Sequence, residues 1–304
     1  MGSPPINEIE CVILAAGKGE RLGEISKYIP KPLIPIANRP LISYVIENVR
    51  KMGIREITVV AGKNYSKLLK LLSDNNGIRV IRAGNFEKGP LFTFLDAEPY
   101  IERHYVLILP CDLVADFSFF SEFIRKCNMN FQINLAVCRK RQPLGSMKII
   151  PARMALISKD FFMILHKAEN EGYKRVIDAI MLAEQLGIGV NRVPLSSAKW
   201  VDVDTISDLL RAHKFVLERI PMPSGAACDS CLDRVLLIKP LIIGRNITFS
   251  GPSVIGPYVS IGDNATIGDS TFLTNVIVMA GAQVGAGLLI NNAVIYRDRI
   301  FRDE

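Results

Sequence analysis

The sequence predicts an α/β fold built on a largely parallel sheet, followed by a stack of short parallel strands. Two observations carry this. Up to about residue 215, short β-branched runs alternate with helical patterns, and beyond it an aliphatic residue recurs at every sixth position. Alternating strand and helix imply a parallel sheet covered on both faces, with ligands bound at the carboxyl ends of its strands. The 304 residues, 49% of them hydrophobic, suffice for the cores of two domains.

The run VIL, Val12 to Leu14, reads as the first strand and leads into a glycine-bearing loop. RPLISYVIENVRKMG then places Leu41, Ile42, Val45, Ile46, Val49 and Met52 on one helical face, with Gly53 as the stop. ITVVA (Ile57 to Ala61) is the next strand, SKLLKLLSD a helix, and YVLIL (Tyr105 to Leu109) and INLAV (Ile133 to Val137) two further strands. After the helix DLLRAHKFVLERI, PMPSGAACDS has the composition of a linker, which divides the chain into a domain of residues 1–219 and a linker with a second domain over 220–304. In the second part Leu237, Ile243, Phe249, Ile255, Ile261, Ile267, Leu273 and Met279 follow at steps of six, often with glycine next; the phase slips by one to Val284 and resumes at Ile290. This is the pattern of hexapeptide repeats and resembles a left-handed parallel β-helix, in which about 60 residues form roughly three coils.

Composition excludes several classes. A net charge of +7 and a pI near 9.1 suit phosphate-bearing ligands, but no Lys/Arg-rich run with interleaved aromatics marks a nucleic-acid surface. Six scattered cysteines without a signal-peptide pattern favour a reducing cytoplasm. Cys228 and Cys231 form a lone CxxC; His104, His166 and His213 are not spaced to complete a zinc site, so a pair of loop thiols is expected. The uncharged stretch from Ser270 to Tyr296 is long enough for a membrane span, yet Asn275, Gln283, Asn291 and Asn292 interrupt it and it continues the six-residue repeat. It therefore reads as strand, not membrane helix. Its uncharged outer faces would form a large apolar patch on a monomer, so a homo-oligomer through the β-helix is expected.

The candidate chemistry begins in LAAGKGERLGEISKYIPKPL, Leu14 to Leu33. Gly17 and Gly19 lack a Cβ and reach positive φ freely, so a loop after the first strand can turn its amides toward phosphate oxygens. Alone, GxG after a strand also describes a plain turn, and the GxxxxGK(S/T) pattern is absent. Arg21 offers planar bidentate donors and Lys31 a point charge, with Pro30 and Pro32 restricting the backbone around Lys31. Asp112 ends the strand of LPCD where a magnesium ligand is expected in an α/β sheet; the rival role, capping the next helix, falls better to Asp116. In KWVDVDT, Asp202 and Asp204 occupy alternate strand positions and share a face, one free to bind metal while the other caps the helix starting near Thr205.

The order LAAGKGERL, PKPLIPIANRPLISYVIENVRKMGI, LPCD and WVDVDT resembles the nucleotidyltransferase family that makes NDP-sugars from sugar-1-phosphates, including glucose-1-phosphate thymidylyl- and uridylyltransferases and mannose-1-phosphate guanylyltransferases. The resemblance covers about residues 8–215, and several members carry a C-terminal left-handed β-helix. It implies a Rossmann-like domain with a mixed, mostly parallel sheet. It further implies that Leu14, Ala15, Ala16, Gly17, Gly19, Gly89 and Asp112 contact the nucleotide, that Arg21 holds the triphosphate and Lys31 a phosphate, and that Asp112 with Asp202 binds Mg²⁺. The substrates implied are an NTP and a phosphorylated sugar or polyol. A substrate phosphate oxygen attacks the α-phosphorus and pyrophosphate leaves in line; the nucleophile is already ionised, so catalysis is positioning and charge neutralisation.

Glu20 and Gly23 replace the family's usual Ser/Thr and Pro. GPLFTFL, Gly89 to Leu95, replaces a GTAxAL segment near base and sugar, which makes Thr93 a substrate-binding candidate. No EKP-like element supplies the acceptor-phosphate lysine, leaving Arg141, Lys148 and Lys174 as candidates, and Asp204 stands where many sugar enzymes have glycine. GPLFT and WVDVDT are similar to enzymes that transfer CMP to inositol phosphate or phosphocholine, so a polyol- or alcohol-phosphate cytidylyltransferase is an alternative. A non-catalytic regulatory or scaffold subunit is another, opposed by the presence of Arg21, Lys31, Asp112 and Asp202. All three histidines precede residue 214, and without a histidine base in the β-helix no acetyltransferase activity is expected.

Overall fold

Strands buried on both faces, such as Ile9–Ala15 and Ile57–Ala61, build the sheet of the computed structural model, which describes residues 4–141, 147–196, 199–220 and 234–303. The linker candidate with Cys228 and Cys231 lies outside the described residues, as do the side chains of Arg141 and Lys148. The chain divides into two compact units, Met1–Lys18 with Ile42–Trp200 and Gly19–Leu41 with Val201–Glu304.

In the first unit, seven strands form one sheet: β1 (Ile9–Ala15), β2 (Ile57–Ala61), β3 (Ile78–Arg82), β4 (Tyr105–Pro110), β5 (Ile133–Arg141), β6 (Met147–Ser158) and β7 (Val190–Leu195). Their order is β7-β5-β6-β4-β1-β2-β3, and all neighbours are parallel except β6, which runs against both β4 and β5. The sheet is therefore mixed and mostly parallel. β1 lies between β2 and β4, so the strand order reverses beside it, and a crevice opens at the carboxyl ends of such strands. Leu14 pairs with Pro110, which brings the loop after β1 and Asp112 after β4 to that same edge. Helix α1 (Leu41–Lys51) buries Leu41, Ile42, Val45, Ile46 and Val49, the face expected from the spacing, and Gly53 follows with φ 89°.

β6 departs from regular pairing. Its register with β5 shifts between Leu135 and Val137, which oppose Ala155 and Pro151, and within the surplus segment Arg153 adopts φ 58°. A bulge of this kind re-aims side chains beside a site.

The second unit contains α7 (Ile206–Leu217) and the stacked strands. Val235–Leu237, Ser253–Ile255 and Thr271–Leu273 pair in parallel at 18-residue offsets, as the hexapeptide periodicity requires. Ile255, Ile261, Ile267, Leu273 and Ile290 are buried along its core. Glycine follows the aliphatic position because a Cβ on Gly262 or Gly268 would meet the backbone nitrogen of Ala280 or Ala286 in the next coil at 2.4 Å. Asparagines with positive φ turn the corners, where Asn246 donates to Asn264 at 3.2 Å and Asn275 to Asn292 at 2.7 Å.

The phase slip lies earlier than the periodicity predicts. Ile261 pairs with Val278, not Met279, and Leu273 with Ile290, so the shortened coil begins between Leu273 and Val278, within the continuous strand Thr271–Val278. Val278 and Met279 are both buried and apolar, which leaves the spacing ambiguous until backbone pairing selects one. Among the described residues, no helix is long and apolar enough to cross a membrane, and the uncharged run from 270 to 296 forms strands and turns.

His213, on α7, is fully buried, and its Nδ1 accepts the Ala37 amide at 3.2 Å. Burial pushes its pKa from 6.5 down to about 3, against a smaller opposing pull from the Tyr258 backbone. The unfolded chain protonates this imidazole near 6.5 while the folded chain resists until about 3, so its contribution is complete above pH 6.5 and is lost as pH falls through that window. Chemical unfolding of His213→Gln and wild type at pH 7 and pH 4.5 should show the wild type losing about 1.4 kcal/mol more per pH unit. Equal slopes would remove His213 from the acid sensitivity.

Candidate active site

In the second unit, the cationic residues converge. Gly19 takes φ 70°, and a Cβ there would lie 3.1 Å from the Lys31 Cβ. The turn Glu20–Lys27 breaks at Gly23 (φ 67°, ψ −144°), and Pro30 precedes the turn Lys31–Leu33, which Leu33 closes by donating to the Pro30 carbonyl at 2.8 Å. Lys31 is buried at 8% exposure, and its Nζ stands 3.1 Å from Asp204 Oδ1. Arg21 Nη2 approaches the same oxygen at 2.9 Å, although its side chain is 70% exposed. One carboxylate oxygen is thus held by two cations, the kind of charge-assisted pairing that Arg and Lys can also offer a phosphate oxygen.

Asp202 and Asp204 present carboxylate oxygens within 4.8 Å of each other, but the strand Trp200–Asp202 ends before Asp204, so the two do not alternate along one strand as WVDVDT predicts. Neither side chain caps α7. Thr205 accepts from the Asp208 amide at 3.1 Å and donates its own amide to Asp208 at 3.1 Å, so this capping box takes the role that the sequence left open to Asp202 or Asp204. Both aspartates are thereby left to chemistry other than capping, and an oxygen-only donor pair suits a hard divalent cation such as Mg²⁺.

In the first unit, Ala15 and Ala16 are buried at the end of β1, Leu14 is half-buried, and Gly17 is exposed with open space where a Cβ would project. Gly17 does not use positive φ; of the two glycines in GKG only Gly19 does. The Cys111 amide donates to the Leu14 carbonyl at 3.1 Å, which ties the two strand ends together, and Asp112 follows at 4% exposure. Asp116 sits at the N-cap position of α4 (Phe117–Lys126) without a capping bond from its side chain.

Gly89, Thr93 and Lys174 come together, but through their own backbone needs. A Cβ at Gly89 would meet the Lys174 carbonyl oxygen at 2.6 Å, and that carbonyl accepts the Leu91 amide at 3.0 Å. Thr93 is buried, and its hydroxyl donates to the Gly89 carbonyl at 3.2 Å. Lys174 itself is exposed.

Sequence reasoning missed Arg153. The sequence offers Arg141, Lys148 and Lys174 as acceptor-phosphate cations, whereas among the described residues Arg153 stands beside Asp112, its Nη2 3.8 Å from Oδ2. Its position depends on the β6 bulge and on a positive φ that nothing in PARMAL announces.

In the second unit, paired aspartates beside two cations are a donor set suited to phosphates and a hard cation. The chain belongs to the family described as MobA-like NTP transferase domain, which matches residues 11–183. Its class is therefore nucleotidyltransferase. It is 27% identical to a bifunctional sugar-1-phosphate nucleotidylyltransferase/acetyltransferase of Sulfurisphaera tokodaii over 95% of this chain and 80% of that protein. It is 23% identical to the bifunctional protein GlmU of Methanocaldococcus jannaschii over 94% of this chain and 77% of the relative. The same identity relates it to a glucose-1-phosphate thymidylyltransferase of Streptomyces griseus, over 94% of this chain and 88% of that protein. The solved inositol-1-phosphate CTP transferase of T. maritima shares the fold with a TM-score of 0.60 at 17% identity, covering 72% of this chain and 99% of that one.

Proposed function

We propose that the protein transfers a nucleoside monophosphate from an NTP to a sugar-1-phosphate, releasing pyrophosphate and forming an NDP-sugar. The observation that carries this reading is the convergence of Arg21 and Lys31 on one oxygen of Asp204, beside the carboxylate of Asp202. Arg21 and Lys31 exchange that oxygen for triphosphate oxygens and offset the charge that develops as pyrophosphate leaves. Leu14 to Gly17, Gly19 and Gly89 are the proposed nucleotide contacts, and Thr93, Lys174 and Asp204 serve the substrates. Asp112 and Asp202 would hold Mg²⁺, which when bound would offset charge at the reacting phosphates. No general base is needed, because the acceptor phosphate is ionised at neutral pH. Residues 1–219 carry this chemistry in our reading, and 220–304 the linker and β-helix.

Asp204 favours a second reading, CMP transfer to a polyol or alcohol phosphate, since many sugar enzymes have glycine at this position. Presenting each of the four NTPs with glucose-1-phosphate, mannose-1-phosphate or inositol-1-phosphate and measuring pyrophosphate decides between them. Release only with CTP and inositol-1-phosphate selects the second reading. Nucleotide binding without release from any pair selects a regulatory subunit. With acetyl-CoA and an amino-sugar phosphate, no thiol release is expected, because no histidine follows residue 213.

We place the protein in a reducing cytoplasm. Cys11, Cys111, Cys127 and Cys138 are buried and outside any disulfide among the described residues, and burial pushes Cys127 up to about 12 and raises Cys11 and Cys138 as well. Such thiols serve packing rather than chemistry.

A homo-oligomer through the β-helix is part of the same proposal. Leu236, Val254, Phe272 and Leu289 pair in register through four successive coils, and Leu236, Phe272 and Leu289 are 59%, 47% and 77% exposed. A flat apolar ladder of this kind is self-complementary under two- or three-fold symmetry. Sedimentation at micromolar concentration should show an oligomer that Leu289→Glu disperses; a monomeric wild type would overturn the assignment.

A further inference from the structure

We infer that the C-terminal segment Tyr296–Asp303 is a positioning clamp for the loop that carries Arg21 and Lys31. The inference rests on the nucleotide-transfer reading only for the substrate it tunes.

One end of the segment grips Tyr28, which lies between the turn of Arg21 and the turn of Lys31. Arg299 Nη1 donates to the Tyr28 hydroxyl at 2.6 Å, and its guanidinium stands 5.2 Å from the centre of the ring. Tyr296 and Phe301 pack on the same ring at 5.9 and 6.1 Å. Arg21 is little held by its own turn, which Gly23 interrupts, and its side chain extends into solvent. Leu22 and Ile25 anchor the turn in the core, and Tyr28 is the point at which the last strand reaches the loop.

The other end grips the start of α7, directly after Asp202 and Asp204. The first amides of a helix lack intrahelical acceptors. Thr205 satisfies only that of Asp208, while Asp303 Oδ1 accepts from Ile206 at 3.0 Å and Oδ2 from Ser207 at 2.7 Å. The carboxylate also suits the positive end of the helix dipole. One residue, Arg302, separates Phe301 from Asp303, so the two grips share one short strand end. Between them opens a groove of about 700 Å³, with Glu20, Arg21, Ser26 and Lys27 among its lining residues on one side and Ile300–Asp303 on the other. The last strand thus fixes the spacing between the Asp204 carboxylate and the cations it holds, and makes the final coil part of the phosphate-handling apparatus.

Arg299→Ala and Asp303→Ala act at opposite ends and test the clamp in the full-length protein. Each should raise the KM for the preferred NTP by about tenfold while the acceptor KM stays within about twofold, since only the triphosphate cations depend on the loop. Amide hydrogen exchange across residues 19–34 should accelerate about tenfold in both variants, including Asp303→Ala, whose native carboxylate accepts from the first amides of α7. Asp303→Asn, which retains one acceptor oxygen, should restore part of both effects. Unchanged exchange over 19–34 in either alanine variant, or equal rises in both KM values with a general loss of Tm, would overturn the clamp. A wild-type protein that releases no pyrophosphate would sink the transfer reading instead, and the exchange measurement alone would then decide the clamp.

Discussion

Arg21→Ala lowers pyrophosphate release by roughly 10³-fold, the scale of losing one preorganised cation at a developing phosphate charge. The expected selectivity of the loss follows from the geometry. The Arg21 side chain is 70% exposed and pairs with Asp204, so removing it deletes little packing. A surface pair of this kind contributes under about 1 kcal/mol to stability. Unfolding midpoints should therefore stay near wild type while turnover collapses. Arg21→Lys keeps the charge without the planar fork and should recover only part of the rate. Lys31→Ala is a less clean probe, because Lys31 is buried against Asp204 and its loss strands a half-buried carboxylate. Unaltered turnover in Arg21→Ala would reduce LAAGKGERL to a turn with ordinary surface charge.

If Asp112 holds Mg²⁺ as proposed, Asp112→Asn should be comparably severe, with turnover down on the order of 10³-fold and the Mg²⁺ concentration for half-maximal rate raised. Asp112 is nearly isosteric with asparagine and lies at 4% exposure, so the change removes charge with little change of volume. The rival explanation is that Asp112 matters only as the partner of Arg153 at 3.8 Å. Arg153→Ala separates the two: loss of the acceptor KM with an unshifted Mg²⁺ dependence identifies Arg153 as a substrate cation. Direct titration of Mn²⁺ followed by paramagnetic relaxation reads metal affinity without turnover. Equal Mn²⁺ affinity in Asp112→Asn and wild type would exclude Asp112 as a ligand.

Much of the site is legible in local chemistry. Gly19, Arg21 and Lys31 fall within thirteen residues, and Asp202 and Asp204 are two residues apart, so their proximity follows from chain connectivity. Alternation along a strand does not bring them together, because the strand ends at Asp202. The capping of α7 is another matter. Thr205 and Asp208 were readable as a capping box, but Asp303 meets that helix across 96 residues of chain, and no spacing rule links them. The phase of the β-helix failed at Val278 for a related reason: two adjacent apolar residues satisfy the same period, and only backbone pairing distinguishes them.

By itself, the sequence determined the strand–helix alternation, the repeat of six, the glycine loop and the acidic and basic residues at strand ends, because periodicity and terminal chemistry are local properties of a chain. Only the tertiary structure decided that Arg21 and Lys31 share one oxygen of Asp204, that a bulge turns Arg153 toward Asp112, and that the last strand anchors both Tyr28 and the start of α7. Those are contacts between segments remote in sequence, whose geometry depends on how whole elements pack.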